Sequence, residues 1–427
     1  MPRTRTVKPL VAPPPGASQA LAHLRICDLS GQLAGAGATR FLAAFGAQVI
    51  RVEDPVRQGR WDILRGSMPF VDERRGLEVG GAFNNHNVEK LGVTINLRTE
   101  RGKDLLRKLV AASDVVTENF AAGVMARLGF SYEALRQIRE DIIYVSNSGF
   151  GATGPYESFK TFGPVVQAMC GLTFSSGLRD QAPAGWGLAY MDHMGAAFMA
   201  MGLLAAVAHR NRTGEGQWVD MSCTEAGLTL AGPDLLDYTA NGRPLRRPGM
   251  PDSNRSHDPA MAPHGIYPTA AEDRWVAVAC RDDADWERLR GRIDDAWAHE
   301  ARWATLAGRI EHQDVLDEQL AAWTVRQDRD ALAADLRRAG VPASVVALPE
   351  DRIEHDPMTS EWGLWPTVHH PEIGDVRVDG LGIHLSETDW AMRRGAPLLG
   401  EHNQEVFAGI LGLDQAEIDQ LAKDGDT

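Results

Sequence analysis

The chain has 427 residues, of which 44% are hydrophobic and 24% charged, and its formal net charge is −14. Length and composition are those of a globular protein with two or three folding units and a sizeable core. The acidic charge argues against binding of nucleic acid or anionic membranes, and we expect no membrane span of about 20 apolar residues. We therefore predict neither a nucleic-acid partner nor a membrane partner.

The cysteines Cys27, Cys170, Cys223 and Cys280 are widely spaced and form no CxxC pair. This spacing argues against a disulfide scaffold and a zinc site and is typical of a protein from a reducing cytoplasm. No HExxH or HxH spacing occurs, so no metal site is expected. The first part of the chain, residues 1–20, has prolines and basic residues but no long apolar segment. It predicts a disordered tail and not a signal peptide, with a transit peptide as the alternative.

Strand and helix patterns alternate through the first half of the chain. Short apolar strands are predicted in LRICDLS, AQVIRVE, GVTINL, SDVVTENF, IIYVSNSGFG and QWVDMS, with helices between them. Strands of this kind are typical of a parallel sheet covered by helices on both faces. Residues 191–210 are apolar nearly all round, which predicts a long buried helix.

The character of the sequence changes after about residue 240. The segment NGRPLRRPGMPDSNRSHDPAMAPHG predicts a long loop, DRWVAVAC predicts a strand, and two helical patterns follow. We predict a large α/β domain at residues 21–230 and a linker with a smaller α/β domain at 231–345. A C-terminal segment at 346–427 is expected to return to the large domain.

A glycine-rich turn with Gly31, Gly35 and Gly37 follows the first predicted strand. Such a turn lets a phosphate approach the N–H groups at a helix N-terminus, and Glu53 follows the next strand, where dinucleotide-binding folds keep a ribose-binding acid. The spacing is GxxxGxG and not GxGxxG, so close helix–strand packing is the favoured explanation. An NAD-dependent dehydrogenase is the function that the turn would otherwise support.

Asp192 lies at the start of the long apolar helix, next to His193. It is explained either as a helix cap or as a partly desolvated carboxylate, held by helix N–H groups, that attacks a thioester. Phe120, after a strand, either packs in the core or stacks on a ligand ring. Scattered cations either are solvated or meet ligand phosphates. These cations are Arg51, Arg57, Arg60, Arg65, Lys90, Arg98, Arg127 and Lys160.

Several segments in order resemble the class III CoA-transferases, the family of formyl-CoA transferase, carnitine CoA-transferase and α-methylacyl-CoA racemase. The segments are RICDLSGQLAGAGATRFLAAFGAQVIRVEDP, HNVEKLGVTINLRTERGKDLLRKLVAASDVVTENF, GVMARLGFSYEALRQIREDIIYVSNSGFGATGPY, YMDHMGAAFMAMGLLAAVAHRNRTGEGQWVDMS and APLLGEHNQEVFAGILG. The resemblance implies a Rossmann-like large domain formed by both chain ends, a smaller domain between them, and a homodimer of interlocked rings. It implies acyl-CoA and carboxylic acid substrates, with no tightly bound cofactor.

Asp192 matches the catalytic aspartate of that family. In the transferases this residue forms an aspartyl–acyl anhydride and then an aspartyl-CoA thioester, which the acceptor acid attacks. Leu33 stands where formyl-CoA transferase has a glutamine. The positions that match the family's CoA site are Gln32, Leu33, Ala34, Arg98, Asn119, Phe120, Arg127 and Lys160.

Two departures from the family bear on the reaction. Phe162 stands where the racemases have one of two acid–base histidines, which favours a transferase because α-proton exchange needs both groups. The segment SHDPAMAPHGIYP lacks the glycine run of the formyl-CoA transferase lid, and we expect His264 and Tyr267 to line the acyl pocket together with Phe162. We predict transfer of CoA from an acyl-CoA, with succinyl-CoA as an example, to a larger organic acid. The alternatives are a racemase or CoA-dependent lyase of the family, the dehydrogenase, and an inactive binding protein.

Overall fold

A computed structural model describes residues 19–187 and 189–427 of the chain. The predicted disordered tail, 1–20, lies outside the described residues except for its last two positions. The chain divides into two compact units. The first contains the residues up to Ser175, Pro183–Leu245 and Pro357–Thr427, and the second contains Ser176–Ala182 and Arg246–Asp356.

A six-stranded parallel sheet forms the centre of the first unit. Its strands are β1 (Arg25–Asp28), β2 (Gln48–Glu53), β3 (Leu91–Thr94), β4 (Val115–Glu118), β5 (Ile143–Ser148) and β6 (Trp218–Ser222). Their order is β3-β2-β1-β4-β5-β6, which confirms the predicted parallel α/β sheet. The order reverses between β1 and β4, and open α/β sheets bind ligands at the carboxyl ends of the strands at such a point.

Helices cover both faces of this sheet. The helices in this part of the first unit, not all of which pack on the sheet, are α1 (Gln32–Ala44), α2 (Gly81–His86), α3 (Glu100–Ala111), α4 (Val124–Arg127), α5 (Tyr132–Ile138), α6 (Gly163–Met169), α7 (Leu172–Ser175), α8 (Tyr190–Thr213), α9 (Cys223–Leu228) and α10 (Gly232–Asn241). Leu42 of α1 and Leu203 of α8 are buried against one face of the sheet. Leu106 of α3 and Leu135 of α5 are buried against the other.

The helix α8 is not buried all round, in contrast to the prediction from sequence. Met201 is 54% exposed, whereas one side of the helix packs on α1 and the sheet. By length and composition alone, α8 is apolar enough to span a membrane, which the sequence analysis did not expect. Its buried side explains part of this composition, because that side belongs to the core of the first unit. The buried residues are Met191, Gly195, Ala196, Met199, Ala200, Leu203, Ala206, Val207 and Arg210.

The glycines of α1 allow close packing. A Cβ built at Gly37 would lie 3.2 Å from the Cβ of Ala196 in α8. A Cβ at Gly35 would lie 2.4 Å from the Cβ of Ser30 and 2.9 Å from the Cγ of Asn119. Both contacts are too short for a larger residue without a shift of backbone or side chain. The glycines therefore serve close packing, but of α1 against α8, Ser30 and Asn119, and not the helix–strand packing that was expected.

The second unit has an antiparallel sheet and a core rich in tryptophan. Its strands are β7 (Ser256–His257), β8 (Ala260–Met261), β9 (His264–Pro268), β10 (Trp275–Ala279) and β11 (Ala343–Val345), and its helices are α11 (Asp283–Arg290), α12 (Leu306–Glu311), α13 (Gln313–Thr324) and α14 (Arg329–Arg338). The main sheet has the order β11-β10-β9. Trp286, Trp303 and Trp323 are buried beneath it.

The boundaries of the second unit differ from those expected. The helix α10 follows α9 almost without a break and stays with the first unit, so the main segment of the second unit begins at Arg246 and not at residue 231, and the short segment Ser176–Ala182 joins it. At its other end the unit extends to Asp356, and within it Arg329 binds the Asp351 carboxylate through two nitrogens, at 2.7 and 3.1 Å.

The C-terminal segment belongs to the first unit. Its elements are α15 (Pro357–Glu361), β12 (Thr367–His370), β13 (Gly374–Arg377), α16 (Asn403–Gly409) and α17 (Gln415–Asp424). Phe407 of α16 and Leu421 of α17 are buried on the same face of the parallel sheet as α3. The N–H groups of Gly92 and Thr94 in the edge strand β3 donate to His402 (3.1 Å) and Asn403 (2.9 Å).

A buried ionic network lies where β1 ends. The carboxylate of Asp28 accepts hydrogen bonds from the hydroxyls of Thr39 (2.7 Å) and Thr117 (2.9 Å), and the Nζ of Lys90 lies 3.3 Å away. Burial by itself would raise the pKa of Asp28, but Lys90, Arg51 and the hydroxyl donors hold it below its usual range. Burial lowers the pKa of Lys90 to about 8.

We predict that Asp28→Ala lowers the free energy of unfolding by about 3–5 kcal/mol, because it leaves the ammonium of Lys90 buried without its partner. Urea unfolding followed by circular dichroism measures the change. Asp104→Ala is the matched control, since that carboxylate pairs with Arg107 on the surface of α3 and is 65% exposed. Surface pairs contribute little, so the control should leave the transition in place. Equal shifts in both variants would contradict the role of the buried pair.

Candidate active site

A cavity of about 480 Å³ lies at the carboxyl end of the parallel sheet in the first unit. Its walls come from the loops after β1, β4 and β5, from the segment at residues 159–166 and from the start of α8. The structure thus brings most of the predicted site residues to one place. Those that line the cavity are Gln32, Leu33, Ala34, Asn119, Phe120, Lys160, Phe162 and Asp192.

Asp192 lies in the first turn of α8, and its carboxylate faces this cavity. The N-cap residue of α8 is Ala189, so the interpretation of Asp192 as a helix cap is wrong. Among residues 19–187 and 189–427, no hydrogen bond or ion pair to the carboxylate is found, so the expected hold by helix N–H groups is also absent there. Burial raises the pKa of Asp192 to about 6. The side chain is therefore a partly desolvated carboxylate without a neutralising partner in the described structure.

Gly163, the first residue of α6, packs directly on this carboxylate. A Cβ at this position would lie 2.3 Å from the Oδ2 of Asp192 and 3.0 Å from the Cβ of Ala189. Only glycine leaves the carboxylate in its place. Gly163 was not among the residues predicted for the site. The following Pro164 signals a helix start, but no local pattern indicates contact with a residue 29 positions away.

The side chain of Asn119 holds the backbone of the loop after β1 through two hydrogen bonds. Its Oδ1 accepts from the N–H of Gly31 (2.8 Å) and its Nδ2 donates to the carbonyl oxygen of Gly31 (2.9 Å). Asp62 accepts from the N–H of Gln32 (3.0 Å), which has the left-handed φ of 56°. Asn119 therefore fixes the loop that leads into α1, and Leu33 and Ala34 lie in the first turn of that helix. Sequence reasoning missed Asp62, which has no motif around it.

Cys223, at the start of α9, also lines the cavity. Its Sγ donates to the Oδ1 of Asn147 (3.0 Å). Burial, together with the negative charge of Asp192, raises the pKa of the thiol to about 12. The thiol therefore stays protonated at neutral pH and is a poor nucleophile.

A smaller cavity of about 210 Å³ shares Phe120 and Ser148 with the first one. Glu118 in its wall accepts hydrogen bonds from the hydroxyl of Tyr144 (2.9 Å) and from the N–H of Phe120 (2.7 Å). Burial raises the pKa of Glu118 to about 7. Phe120 also packs against the core and contacts Trp61, with ring centroids 5.1 Å apart. Both interpretations of Phe120, as a packing residue and as a cavity residue, are thus compatible with its position.

Two predicted CoA contacts, Arg98 and Arg127, do not line the large cavity. The side chain of Arg98 is 56% exposed, with a nitrogen 3.7 Å from the carboxylate of Asp54. Arg127 is the exposed last residue of α4. Their contact with CoA stays a prediction.

His264 and Tyr267 lie in the second unit and line a cavity there. Tyr267 is buried in the core, and its hydroxyl donates to Asp317 (2.7 Å). The Nδ1 of His264 lies 2.5 Å from the carbonyl oxygen of Asn254. The predicted acyl-pocket role of both residues stays a prediction, and for Tyr267 the structure adds a role in the core.

Three of the scattered cations, Arg51, Arg65 and Lys90, are buried inside the first unit and not available to phosphates. Arg65 binds both carboxylate oxygens of Glu53, at 2.8 and 2.6 Å. Glu53 is therefore not free to bind a ribose, which argues against the dehydrogenase. No group of three metal-binding side chains occurs within the described parts of the chain.

The sequence matches the model of a family described as CoA-transferase family III over residues 21–403. The chain is 32% identical over 402 residues to the succinyl-CoA–D-citramalate CoA-transferase of Chloroflexus aurantiacus, an alignment that covers 94% of this chain and 96% of that protein. It is 34% identical over 408 residues to the succinyl-CoA:mesaconate CoA-transferase of Haloarcula marismortui, with 94% and 97% covered.

The structure is similar to the crystal structure of a CAIB/BAIF family protein from Brucella suis. The TM-score is 0.81 at 29% sequence identity, and the superposition covers 92% of this chain and 100% of that one. Similarity in sequence and in structure therefore extends over both units.

We predict that Asp192→Asn raises the thermal stability of the protein at pH 8. The pKa of about 6 exceeds the value of about 4 in an unfolded chain, so the folded state favours the protonated carboxyl. Above pH 6 the ionised side chain therefore costs the fold about 2–3 kcal/mol, which the neutral amide avoids. The difference should shrink as the pH falls from 6 towards 4. Melting temperatures at pH 8 and pH 5 measure it, and equal stability at pH 8 would indicate that the carboxylate has a partner.

Proposed function

We propose that this chain, which belongs to CoA-transferase family III, transfers CoA between carboxylic acids through covalent intermediates on Asp192. That it is a CoA-transferase acting on CoA thioesters follows from the family. The observation that carries the assignment of Asp192 is its carboxylate, which has no partner among the described residues and faces a cavity at the carboxyl end of the sheet. With a pKa of about 6, the carboxylate is mostly ionised at neutral pH and able to attack.

In the proposed first half-reaction, an oxygen of Asp192 attacks the thioester carbonyl of the donor. The carbon–sulfur bond breaks, CoA leaves as a thiolate, and an aspartyl–acyl anhydride forms. The thiolate then attacks the Asp192 carbonyl of this anhydride. The donor acid leaves as a carboxylate, and an aspartyl-CoA thioester remains.

The second half-reaction reverses these steps with the acceptor. The acceptor carboxylate attacks the aspartyl-CoA thioester and releases the thiolate, and a new anhydride forms. The thiolate attacks the acceptor carbonyl, which gives the new acyl-CoA and frees Asp192. Every attacking and leaving group is an anion, so no proton is transferred and no bound cofactor is required.

The walls of the cavity suit these steps. Lys160 is its one cationic residue within the described structure and is placed to stabilise the thiolate or a carboxylate. Gln32, Leu33 and Ala34 form the first turn of α1 and not a loop, and we propose that this turn lies against the pantetheine arm of CoA. Asn119 holds the loop before this turn and Phe120 lines the same cavity, whereas the exposed Arg98 and Arg127 would meet phosphates outside the cavity.

A racemase is less consistent with the same cavity. Phe162 lines it at the position where the resemblance places a racemase histidine, and none of its described lining residues is a histidine. Exchange of an α-proton needs an acid and a base on opposite sides of the carbon. Asp192 supplies one of these two groups, so the second group that a racemase needs is missing from the described lining.

The donor and the assembly are further parts of the proposal. The two relatives named for succinyl-CoA support succinyl-CoA as donor. We propose a homodimer of interlocked rings, as the resemblance implies, and exposed apolar residues of α8 and α10, Met201 and Leu236 among them, offer surface for the second copy. The buried free cysteines are compatible with a reducing cytoplasm.

We expect succinyl-CoA to modify the protein at Asp192. Mass spectrometry after incubation should show a CoA adduct, and hydroxylamine should convert it to a hydroxamate on the peptide that contains Asp192. Asp192→Ala should form no adduct while remaining folded. The rate of adduct formation should rise with pH through about 6, because the ionised carboxylate is the nucleophile. An adduct that persists in Asp192→Ala would refute the assignment.

We expect Gly163→Ala to lower the rate of adduct formation by about 100-fold, since displacement of a reacting group by about 1 Å has this effect. The added Cβ would otherwise lie 2.3 Å from the Asp192 carboxylate. Gly382→Ala is the control, because a Cβ there meets no atom within 4 Å. Rapid-quench kinetics with succinyl-CoA compares the two variants, and an unchanged rate in Gly163→Ala would show that the carboxylate need not stay where α6 holds it.

A further inference from the structure

The side chain of Gln167, in α6, is a buried amide with an unused donor. The residue is 3% exposed, and its Nε2 has no acceptor in the part of the chain that the structure describes. A buried amide donor without an acceptor is costly, so such groups are rare in folded proteins and each calls for an explanation. An acceptor that forms only during the reaction would explain this one.

The buried face of α6 packs on the first turn of α8. Val166 of α6 shares an apolar cluster with Met191 of α8. On the same face, a Cβ at Gly163 would lie 2.3 Å from the Oδ2 of Asp192. Gln167 is buried on this face as well, so it belongs to the side of α6 that meets the turn with Asp192.

Helix geometry directs the Gln167 side chain towards Asp192. Gln167 follows Gly163 by four positions in α6, and Cβ atoms at this spacing lie about 5–6 Å apart on one helix face. Long side chains in a helix lean back towards its N-terminus, over the residue four positions earlier. The amide therefore comes within reach of the Asp192 carboxyl group, which packs on Gly163, by rotation about the bonds of its own side chain.

This approach is from the interior of the first unit and not from the cavity. Gly163 and Val166 line the cavity, whereas Gln167 is not among its described lining residues. A donor on the interior side leaves the cavity free for the thioester and for the acceptor acid.

In the resting protein the Gln167 donor and the Asp192 carboxylate are not bonded to each other. Catalysis requires interactions that are stronger in the transition state than in the ground state. A hydrogen bond to the resting carboxylate would stabilise the ground state, whereas a donor aimed at charge that develops during the reaction lowers the barrier. In the proposed anhydride and thioester, Asp192 has a carbonyl oxygen on which such charge develops.

We infer, on the basis of the proposed transferase function, that Gln167 is a catalytic residue whose Nε2 donates to the Asp192 carbonyl oxygen when this carbonyl is attacked. The CoA sulfur forms a bond to the Asp192 carbonyl carbon, and the electron pair of the carbonyl double bond moves onto the oxygen. When the pair returns, the bond from this carbon to the donor carboxylate breaks and the acid leaves. The amide stabilises the oxyanion and transfers no proton. It acts in the same way when the acceptor carboxylate attacks the aspartyl-CoA thioester and the thiolate leaves.

Gln167→Met tests this inference, because methionine keeps the length of the side chain and removes the donor. The measurement is exchange of isotopically labelled succinate into succinyl-CoA by the full-length chain, followed by mass spectrometry. Gln167→Met should lower kcat about 100-fold, as the loss of one oxyanion donor does. The KM for succinyl-CoA should stay as it is, because Gln167 does not line the cavity.

Gln313→Met is the matched control. Gln313, in α13 of the second unit, also has a buried Nε2 without an acceptor in the described structure. It does not line the cavity around Asp192, so its substitution should leave kcat and KM unchanged.

The infrared spectrum of the adduct reports the hydrogen bond itself. After incubation with succinyl-CoA, the difference between protein with isotopically labelled aspartate and unlabelled protein isolates the carbonyl stretch of the aspartyl-CoA thioester. A hydrogen bond lowers the frequency of this stretch, so the frequency should be higher in Gln167→Met than in the unsubstituted protein. A purely structural role of Gln167 would leave the frequency unchanged.

Melting temperatures show whether the amide has a partner in the resting protein. Gln167→Met and Gln313→Met should each be at least as stable as the unsubstituted protein, because each removes a buried donor without an acceptor. A lower melting temperature in Gln167→Met alone would show that the amide is already bonded before the reaction, which overturns the inference.

The outcomes separate this inference from the function on which it rests. An unchanged kcat or an unchanged carbonyl frequency in Gln167→Met overturns the inference, while the transferase mechanism stands. An equal loss of kcat in Gln313→Met also overturns it. If the unsubstituted protein neither exchanges succinate nor carries an adduct on Asp192, the proposed function itself fails, and this inference fails with it.

Discussion

Asp28 ends β1 at the point where the order of the parallel strands reverses, and its carboxylate is buried with the ammonium of Lys90 3.3 Å away. The same carboxylate accepts from Thr39 in α1 and Thr117 in β4. One buried charge thereby joins two central strands, the first helix and the start of β3. A buried charge is tolerated only when it is paired and hydrogen-bonded, so these elements have little freedom to separate.

The edge of the sheet at which the cavity lies is built on this network. The carbonyl oxygen of Ser30 accepts from Arg51 (2.8 Å), and the next two peptide groups are held by Asn119 and Asp62. The backbone of the loop after β1 is thus fixed by side chains from β2, from the loop after β4 and from the segment after β2. Such a loop can cover a ligand without first becoming ordered, which lowers the entropic cost of binding.

Asp28 and Asp192 lie in the same unit, yet their pKa values move in opposite directions. Both are buried, which disfavours the charged form, but Asp28 has Lys90, Arg51 and hydroxyl donors, whereas Asp192 has no partner in the described structure. The first carboxylate is a structural anion. The second is left uncompensated at a cavity, the state in which a carboxylate is ready to form a bond to carbon. The ionised Asp192 lowers the free energy of unfolding, and other interactions in the unit offset this loss, as is usual at functional sites.

Asp192 and the exposed phenylalanines of its cavity come from different parts of the chain. Asp192 belongs to α8, while Phe159 and Phe162 belong to the segment between β5 and α6. Gly163 follows Phe162 and packs on the Oδ2 of Asp192, so the position of the carboxylate depends on both parts.

The sequence by itself determined the parallel sheet, the family and the cluster of residues around Asp192. Strand and helix patterns depend on residues close together in the chain, so the strands could be predicted from the sequence. Residues of motifs that follow the strands, such as TENF, could then be predicted to meet at the carboxyl edge of the sheet. Only the tertiary structure decided which charges are buried in pairs. It showed that Arg51, Arg65 and Lys90 serve the fold, that Asp192 caps nothing, and that Gly163 must be glycine. It also gave the limits of the second unit, which include the pair of Arg329 and Asp351. These features depend on distances between residues far apart in the chain, and such distances are fixed only when the sheet and helices pack together.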